Sequence, residues 1–419
     1  MWTRRTCFGL LLAALAALSP SRSRAEDEPK PEDVKVVTLG KSKLGLYGFL
    51  RLDTLYDTDR PNTIQTPVFV LSPDLNPPQG LAAGRSSFSM HPRLSRFGVD
   101  LEAPAIKGLN DATLGGKLEI DFYNLPASPT SLNSNSREFL RLRHAWLELT
   151  WGRFSLLAGQ REDVLSPLTP IVNNDLVMWG AGNLGDRRPQ LRVEYVAGGL
   201  AFTGMAGVTG AVDNQNLDGP TNAFFDGEAS GIPTFQARIG FTFDGPATGK
   251  KAAVGIWGHR AEEELDSGST FANGRSEFDS RALGADLSLP LPGRVLIKAE
   301  AWTGENLDDV RGGIFQGVVN GEEIESRGGW VEVHLTATPW WTPIVGLSLD
   351  DPESEFLPVL TPTTNPGPDK NVVAYLANRM RWGSLELGAD YLRWRTEFAG
   401  SGVRDGQDHR YNGFLAYHF

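Results

Sequence analysis

The segment HRYNGFLAYHF, residues 409–419, alternates between two kinds of side chain without interruption. One face carries Tyr411, Gly413, Leu415, Tyr417 and Phe419. The other carries Arg410, Asn412, Phe414, Ala416 and His418. A period of two is the spacing of a β-strand whose two faces meet different surroundings. The segment therefore predicts a strand with one apolar, aromatic face and one largely polar face.

An aromatic residue at the end of such a strand suits a membrane–water interface, where the ring lies at the headgroup level and nearby charge stays in water. The segment resembles the C-terminal signal that the assembly machinery of bacterial outer-membrane β-barrels recognises. Leu415, Tyr417 and Phe419 are its signal residues. The barrel-assembly machinery and the lipids of a Gram-negative-type outer membrane are then the expected partners.

The N-terminal residues read as a leader rather than as part of a fold. Arg4 and Arg5 precede an apolar run over residues 8–18, which is too short to span a bilayer as a helix. Small residues at 23 and 25 then predict a signal peptide over residues 1–25. Residues 26–42 follow as a short polar segment that we expect to be disordered, and the barrel is expected over 43–419. The one cysteine, Cys7, lies in the leader, so no disulfide is expected.

Composition narrows the class further. The formal net charge of the 419 residues is −11, and removal of the four leader arginines makes it −15. An acidic chain without a basic run argues against nucleic-acid binding. The mean hydropathy of −0.25 is that of a water-soluble protein. A β-barrel is compatible with this value, because only every second residue of its strands faces lipid.

Sixteen segments with a period of two recur between residue 44 and the C-terminus, most clearly at 234–243. The connections between them run long, short, long, short throughout. The long ones are 55–92, 124–136, 161–186, 209–233, 261–280, 304–328, 351–370 and 394–408. Short periplasmic turns and long extracellular loops are typical of outer-membrane barrels. The tryptophans at 151, 340, 341 and 382 lie at or beside short turns, as a periplasmic girdle requires. The predicted fold is an all-β transmembrane antiparallel β-barrel of sixteen strands, with a water-filled lumen.

The alternate strand positions that are predicted to face the lumen are rich in charged residues. The predicted pore-lining, anion-binding residues are Arg51, Arg96, Arg141, Arg143, Arg188, Arg192 and Arg238. The predicted opposing or constriction-loop acids are Glu119, Asp121, Asp163 and Asp175, the last two in an inward-folding loop at 161–186. Arginine dominates strands four to eight and carboxylates dominate the last third, so we expect a transverse field across the pore. Arg141 and Arg143 share one parity with His144 on the other, which predicts a bulge near Ala145. The alternative is that inward charges are merely solvated.

No catalytic constellation is found. No GxSxG occurs, and the six histidines show no metal spacing. The GxGxxG match at 180–185 opens no predicted helix, so no dinucleotide site is expected. We predict no enzyme activity, no metal and no cofactor.

Five stretches resemble DcaP-like outer-membrane porins, which are related to phosphate-selective porins. They are RLSRFGVDLEAP (93–104), KLEIDFYN (117–124), LRLRHAWLEL (140–149), LLAGQ (156–160) and GNLGDRRPQLRVEY (182–195). The resemblance implies a trimer of sixteen-stranded barrels that passes small anions such as dicarboxylates. It is weaker at residue 161, where Arg161-Glu162-Asp163 replaces the family's Thr/Ser-Trp stretch.

The predicted function is a diffusion channel for small hydrophilic solutes that favours small anions such as dicarboxylates or phosphate, in a homotrimer. Two alternatives remain open. A sugar channel would need a luminal row of aromatics, for which Trp257, Trp302, Trp330 and Trp394 are the candidates. An adhesin would act through the long loops.

Overall fold

The computed structural model describes residues 35–63, 66–74, 84–122, 140–172, 177–210, 226–265, 270–359 and 364–419. The predicted signal peptide and residues 26–34 lie outside these ranges. The strands are β1 Lys35–Leu39, β2 Ser42–Asp57, β3 Ser87–His91, β4 Arg96–Ile106, β5 Ala112–Asp121, β6 Arg141–Trp151, β7 Phe154–Glu162, β8 Arg187–Ala197, β9 Leu200–Gly207, β10 Thr234–Asp244, β11 Lys251–Glu264, β12 Glu277–Leu291, β13 Val295–Glu305, β14 Val318–Val319, β15 Glu322–Glu323, β16 Glu325–Leu335, β17 Trp341–Pro352, β18 Pro368–Trp382, β19 Leu385–Phe398 and β20 Gly406–His418. Helical structure in the described ranges is limited to one α-helical turn, Asp226–Ala229, and 3-10 turns at Lys107–Leu109, Asp308–Val310 and Gly313–Phe315.

The strands form one closed antiparallel barrel. Each wall strand pairs with its neighbours in the chain, and β20 pairs with β2 from Phe49↔His418 to Asp57↔Arg410. β3 and β4 both pair with β2 and form a single wall strand that is interrupted at residues 92–95. With β14 and β15 set apart as a small hairpin and β1 as an added strand, the wall has sixteen strands. The predicted fold class is confirmed.

The alternation of connections is also confirmed. Short connections join β4 to β5, β6 to β7, β8 to β9, β10 to β11, β12 to β13, β16 to β17 and β18 to β19. All connections on the opposite rim are longer. Several strands extend beyond their predicted ends. β11 runs to Glu264 and β12 begins at Glu277, so the acidic stretch predicted as a loop at 261–280 is partly strand.

The N-terminal segment departs from its prediction. Within 26–42, residues 35–39 are ordered as β1, which pairs with β2 from Lys35↔Leu46 to Leu39↔Ser42. Along β2, β20 pairs only with the C-terminal part, from Phe49 to Asp57. β1 therefore occupies the edge of β2 that β20 leaves open. The expectation of disorder is wrong here because this free edge offers backbone hydrogen-bond partners.

Large apolar side chains cover the outer face of the barrel. Exposed examples are Leu50, Leu52, Leu118, Leu147, Leu191, Ile256, Leu283, Val345 and Leu347. In β20 the predicted outward residues Tyr411, Leu415 and Tyr417 are exposed, whereas Arg410 and Asn412 are buried inside. The predicted assignment of faces is therefore confirmed. None of the helices in the described ranges has the length and apolar character needed to cross a membrane.

Aromatic rings cluster at the rim with the short turns. Trp340 stacks on Trp382 with ring centroids 5.4 Å apart and on Trp341 at 6.3 Å. Trp340 and Trp382 are exposed. Indole rings in this position suit the polar–apolar boundary of a bilayer.

Phe419 lies at the closing seam. Its backbone N–H donates to the Gly48 carbonyl over 3.0 Å and its carbonyl accepts from Gly48 over 3.1 Å. Its ring lies 5.9 Å from that of Phe97 and covers Gly48. The residue thus links the last wall strand to β2 and β4.

Deletion of Phe419 should lower the yield of assembled barrel in isolated outer membranes, because it removes two seam hydrogen bonds and the covering ring. Heat-modifiable migration on gels measures the assembled fraction. Phe88→Ala, which removes an exposed outward ring from β3, is the control and should assemble normally. Assembled molecules of the deletion variant should keep the parental ion selectivity. Normal assembly of that variant would contradict the prediction.

Candidate functional site

Three loops from the long-connection rim fold into the barrel and contact its inner wall. They are residues 163–172 with 177–186, together here called the constriction loop, residues 306–317 between β13 and β14, and residues 61–63 with 66–72 after β2. Together with wall side chains they form two buried apolar clusters. One contains Val70, Val172, Met178, Ala181, Val373, Tyr375, Leu392 and Trp394. The other contains Leu165, Leu184, Trp257, Ala282, Trp302, Leu307 and Val310. The inward fold of 161–186 is thus present, and part of the lumen is a packed interior.

A buried ion-pair cluster fixes the base of the constriction loop. Arg188 Nε lies 2.6 Å from Asp163 Oδ1, and its Nη1 lies 2.9 Å from Asp309 Oδ2. All three side chains are at most 1 % exposed. One guanidinium therefore joins two inward loops to β8. The prediction that Arg188 lines the pore is wrong, because the loop that begins at Asp163 covers it.

The middle of the constriction loop binds carboxylates on the opposite wall. The backbone N–H of Leu168 donates to Glu300 Oε1 over 2.8 Å, and the Ser166 hydroxyl donates to Glu300 Oε2. The N–H of Ile171 donates to Glu332 Oε1 over 2.7 Å. Both carboxylates are buried. These two side chains supply acceptors to N–H groups of the loop at buried positions, where an unpaired N–H would be costly.

The C-terminal half of the constriction loop packs directly against backbone atoms of the barrel wall. The carbonyl of Gly182 accepts from Trp302 Nε1 over 2.8 Å, and that of Gly180 accepts from Asn371 Nδ2 over 2.6 Å. Gly182 has φ 112°, and a Cβ there would lie 2.4 Å from the Gly329 carbonyl oxygen. Only glycine permits this approach. The GxGxxG match thus has a structural use, as the contact of the loop with β16.

The four tryptophans considered for a sugar channel face inward but are not accessible. Trp257, Trp302, Trp330 and Trp394 are all at most 5 % exposed. The N–H groups of three of them donate to the Gly182 carbonyl, to Glu300 and to Asn371 Oδ1, from Trp302, Trp330 and Trp394 respectively. A sugar could not stack on them without displacement of the loops.

A partly accessible, charged region of the wall lies on β4, β5 and β6 and is here called the open wall. Glu119 accepts from Tyr47 Oη over 2.7 Å and from Arg143 Nε over 2.5 Å, and Arg96 Nε lies 3.5 Å away. Asp121 accepts from Arg141 in two bonds of 2.8 and 2.6 Å. The cations and acids form one connected network.

The arginines and the carboxylates of this network differ in solvent exposure. The side chains of Arg141, Arg96 and Arg143 are 24 %, 22 % and 11 % exposed, whereas those of Glu119 and Asp121 are at most 1 %. The carboxylates lie against the wall and the guanidiniums cover them. In these pairs the guanidinium is the more exposed partner. Two carboxylates nearby are exposed, Glu162 beside His144 at 52 % and Asp100 beside Lys117 at 41 %. Glu119 and Asp121 stand beside the arginines, not opposite them, so this part of the prediction is wrong.

A β-bulge in β6 brings the charged side chains of the open wall close together. On β5 the residues Glu119 and Ile120 pair with His144 and Leu142 of β6, so Arg143 is the extra residue. The bulge lies two residues before the predicted position. Because of it, Arg141, Arg143 and His144 can all lie on the luminal side.

The remaining predicted residues are dispersed. Arg51 makes a two-pronged pair with Asp53, and Arg238 with Asp286 at 2.8 and 2.7 Å. Arg192 is buried and donates to Gln190 Oε1 over 2.9 Å and to the Glu162 carbonyl. It is therefore a wall contact rather than an open anion ligand. Asp175 lies outside the described residues.

The transverse field stays a prediction. Among the carboxylates of the last third on which it relies, Glu300, Glu332 and Asp350 are buried, and the constriction loop covers the first two. Glu386 is still partly exposed. Sequence parity correctly placed these acids inward but gave no signal that a loop would bind them.

Within the described ranges, the His, Cys, Asp and Glu residues form no group of three or more that could hold a metal ion.

No family model matches the chain, and no curated protein matches it. Solved structures do match over nearly the whole length. The channel DcaP of Acinetobacter baumannii is 16% identical, with a TM-score of 0.67, and the match covers 91% of this chain and 99% of DcaP. The fold is that of an outer-membrane porin.

Two further porin-fold structures agree. An anion-selective porin from Comamonas acidovorans is 10% identical, with a TM-score of 0.56 and coverage of 90% and 100%. OmpT of Vibrio cholerae, in a trimer form, is 13% identical, with a TM-score of 0.53 and coverage of 90% and 99%. The resemblance to DcaP-like porins is thus confirmed at the level of the fold. With the outward apolar belt, this fold places the barrel in an outer membrane of the Gram-negative type.

Substitution of both loop anchors, Glu300→Ala with Glu332→Ala, should raise single-channel conductance in planar bilayers. Buried N–H groups of Leu168 and Ile171 would lose their acceptors at a cost of about 1–3 kcal/mol each, so the loop should leave the wall more often. Glu194→Ala removes a luminal carboxylate near the β8–β9 turn and serves as the matched control. Unchanged conductance in a correctly assembled double variant would show that the loop does not depend on these anchors.

Proposed function

We propose that the barrel is a porin that passes small hydrophilic solutes by diffusion and favours small anions such as dicarboxylates or phosphate. The observation that carries the preference is the asymmetry of the lumen. The constriction loop covers the acids Glu300 and Glu332, whereas the open wall presents Arg96, Arg141 and Arg143 above their buried partners.

The mechanism is electrostatic. An anion that enters the narrow part of the lumen loses hydration and gains guanidinium donors that are already held in place by Glu119 and Asp121. Because each arginine keeps a carboxylate partner, the net field is moderate. Anions should therefore bind weakly enough to leave again, as conduction requires.

A diffusion channel is proposed in preference to an enzyme or an adhesin. The matching structures include a channel and an anion-selective porin by their names. The buried position of the four luminal tryptophans argues against a sugar channel. The proposal needs no cofactor, since diffusion through a water-filled lumen depends only on its width and its fixed charges.

We also propose a homotrimer in contact with outer-membrane lipids and assembled by the barrel-assembly machinery. The trimer form of the matching OmpT supports it. Chemical cross-linking in native membranes should give a ladder that ends at three copies. A ladder that ends at one copy would contradict it.

The anion preference predicts the sign of the reversal potential in a salt gradient. The parent channel should favour chloride over potassium. Arg141→Gln with Arg143→Gln should shift the preference toward potassium, because Arg96 is then the one cation of the network left beside the two carboxylates of Glu119 and Asp121. The measurement is best made at low ionic strength, where screening is weak.

Arg393→Gln provides the control for this measurement. Arg393 is exposed on the outer face of β19, so its loss changes the net charge without a change in the lumen. Its reversal potential should equal that of the parent. A cation-selective parent, or a double variant with the parental reversal potential, would count against the anion proposal.

A further inference from the structure

A cavity lies between the tip of the constriction loop and the closing seam of the barrel. Its volume is about 220 Å³, and its lining is formed by residues 170–172 of the loop with Arg51, Arg379, Glu386 and Phe414 of the wall. It is separate from the arginine network of the open wall.

Two guanidiniums are held on one side of this cavity. The Cζ of Arg51 lies 3.9 Å from the centroid of the Phe414 ring, and that of Arg379 lies 5.2 Å from it. Arg51 uses Nε and Nη2 on Asp53, and Arg379 uses Nη1 and Nη2 on Asp390. These bonds fix both cations in place. They leave Nη1 of Arg51 and Nε of Arg379 for another acceptor.

A carboxylate stands beside the two cations. Glu386 Oε2 accepts from His418 Nε2 over 2.9 Å, and that bond leaves Oε1 available. The Glu386 charge lies within electrostatic range of both Arg51 and Arg379. The side chains of the three are 17 %, 11 % and 19 % exposed, so each reaches the cavity without being free in solution.

The facing side is apolar and fixed. Residues 170–172 are Pro, Ile and Val, and they contribute the apolar surface of the loop tip. Ile171 is held from both sides, since its N–H donates to Glu332 and its carbonyl accepts from Arg379. The Phe414 ring adds a second apolar surface. The cavity thus combines two cations, one anion and a rigid apolar side.

We propose that this cavity is a subsite for small zwitterionic solutes with a short apolar group, of the kind represented by aliphatic α-amino acids. The carboxylate would bind Arg51 and Arg379, the ammonium would bind Glu386, and the side chain would contact residues 170–172. The inference rests on the proposed channel function and names a solute class for it.

The arrangement discriminates among solute classes. A simple carboxylate finds the two arginines but also the repulsion of Glu386. An amine finds Glu386 but also the repulsion of both arginines. An uncharged sugar forfeits the charge-assisted bonds that make this site favourable.

Isotope-labelled fluxes into proteoliposomes test the subsite. The probes are L-valine, isovalerate, which lacks the ammonium, isobutylamine, which lacks the carboxylate, and glycine, which lacks the apolar group. Purified parent barrel should pass L-valine faster than each of the other three at equal concentration. Equal or slower flux of L-valine relative to isovalerate would overturn the inference without any variant.

Glu386→Gln should lower the ratio of L-valine to isovalerate flux about twofold to fivefold, the range expected for a partly exposed ion pair. Glu386→Asp keeps the charge and should keep most of the ratio. Asp100→Asn, which neutralises a luminal-rim acid on β4 far from the cavity, should leave the ratio unchanged. An unchanged ratio in Glu386→Gln would also overturn the inference.

Potassium chloride conductance of the same preparations separates the two proposals. Absence of conductance in assembled parent barrel would contradict the channel function itself. Normal conductance without a preference for L-valine would contradict only the subsite.

Discussion

The closed ladder of backbone hydrogen bonds is the constraint on which the rest of the structure depends. In a bilayer each unpaired N–H or C=O costs several kcal/mol, so a sheet can cross only if it has no free edge. Here the closure is the pairing of β20 with β2, from Phe49↔His418 to Asp57↔Arg410. Once that register is set, strand parity decides which side chains meet lipid and which meet the lumen.

The interior follows from a second requirement, that buried polar groups find partners. Loops that fold into a barrel bring backbone N–H groups with them, and buried N–H groups need acceptors from the protein. The wall supplies carboxylates at Glu300 and Glu332, and the clamp at Arg188 joins Asp163 to Asp309. Charges that would otherwise line the pore are thereby used as structural contacts.

The sequence correctly predicted which of these residues face the inside of the barrel, but it did not predict which contacts they make there. Arg141 and Arg188 each share the inward face of their strand with a second arginine, Arg143 two residues away and Arg192 four residues away. The structure leaves Arg141 partly exposed beside Asp121 and buries Arg188 between two loops. The difference lies in contacts with Asp309, which is 121 residues away in the chain, and no local pattern reports such a contact. The bulge at Arg143 was foreseen because it breaks a local period, which is visible in the strand itself.

The sequence by itself determined the architecture, because the period of two, the long and short connections and the terminal strand 409–419 are local and repeat sixteen times. It also determined which face of each strand is apolar. Only the tertiary structure decided which inward charges reach water, because that depends on where the constriction loop and residues 61–63, 66–72 and 306–317 lie inside the barrel. Their positions are fixed by bonds between distant segments, such as Asn371 with the carbonyls of Val68 and Gly180. The burial of the inward charges therefore depends on long-range hydrogen bonding as well as on the composition of the wall.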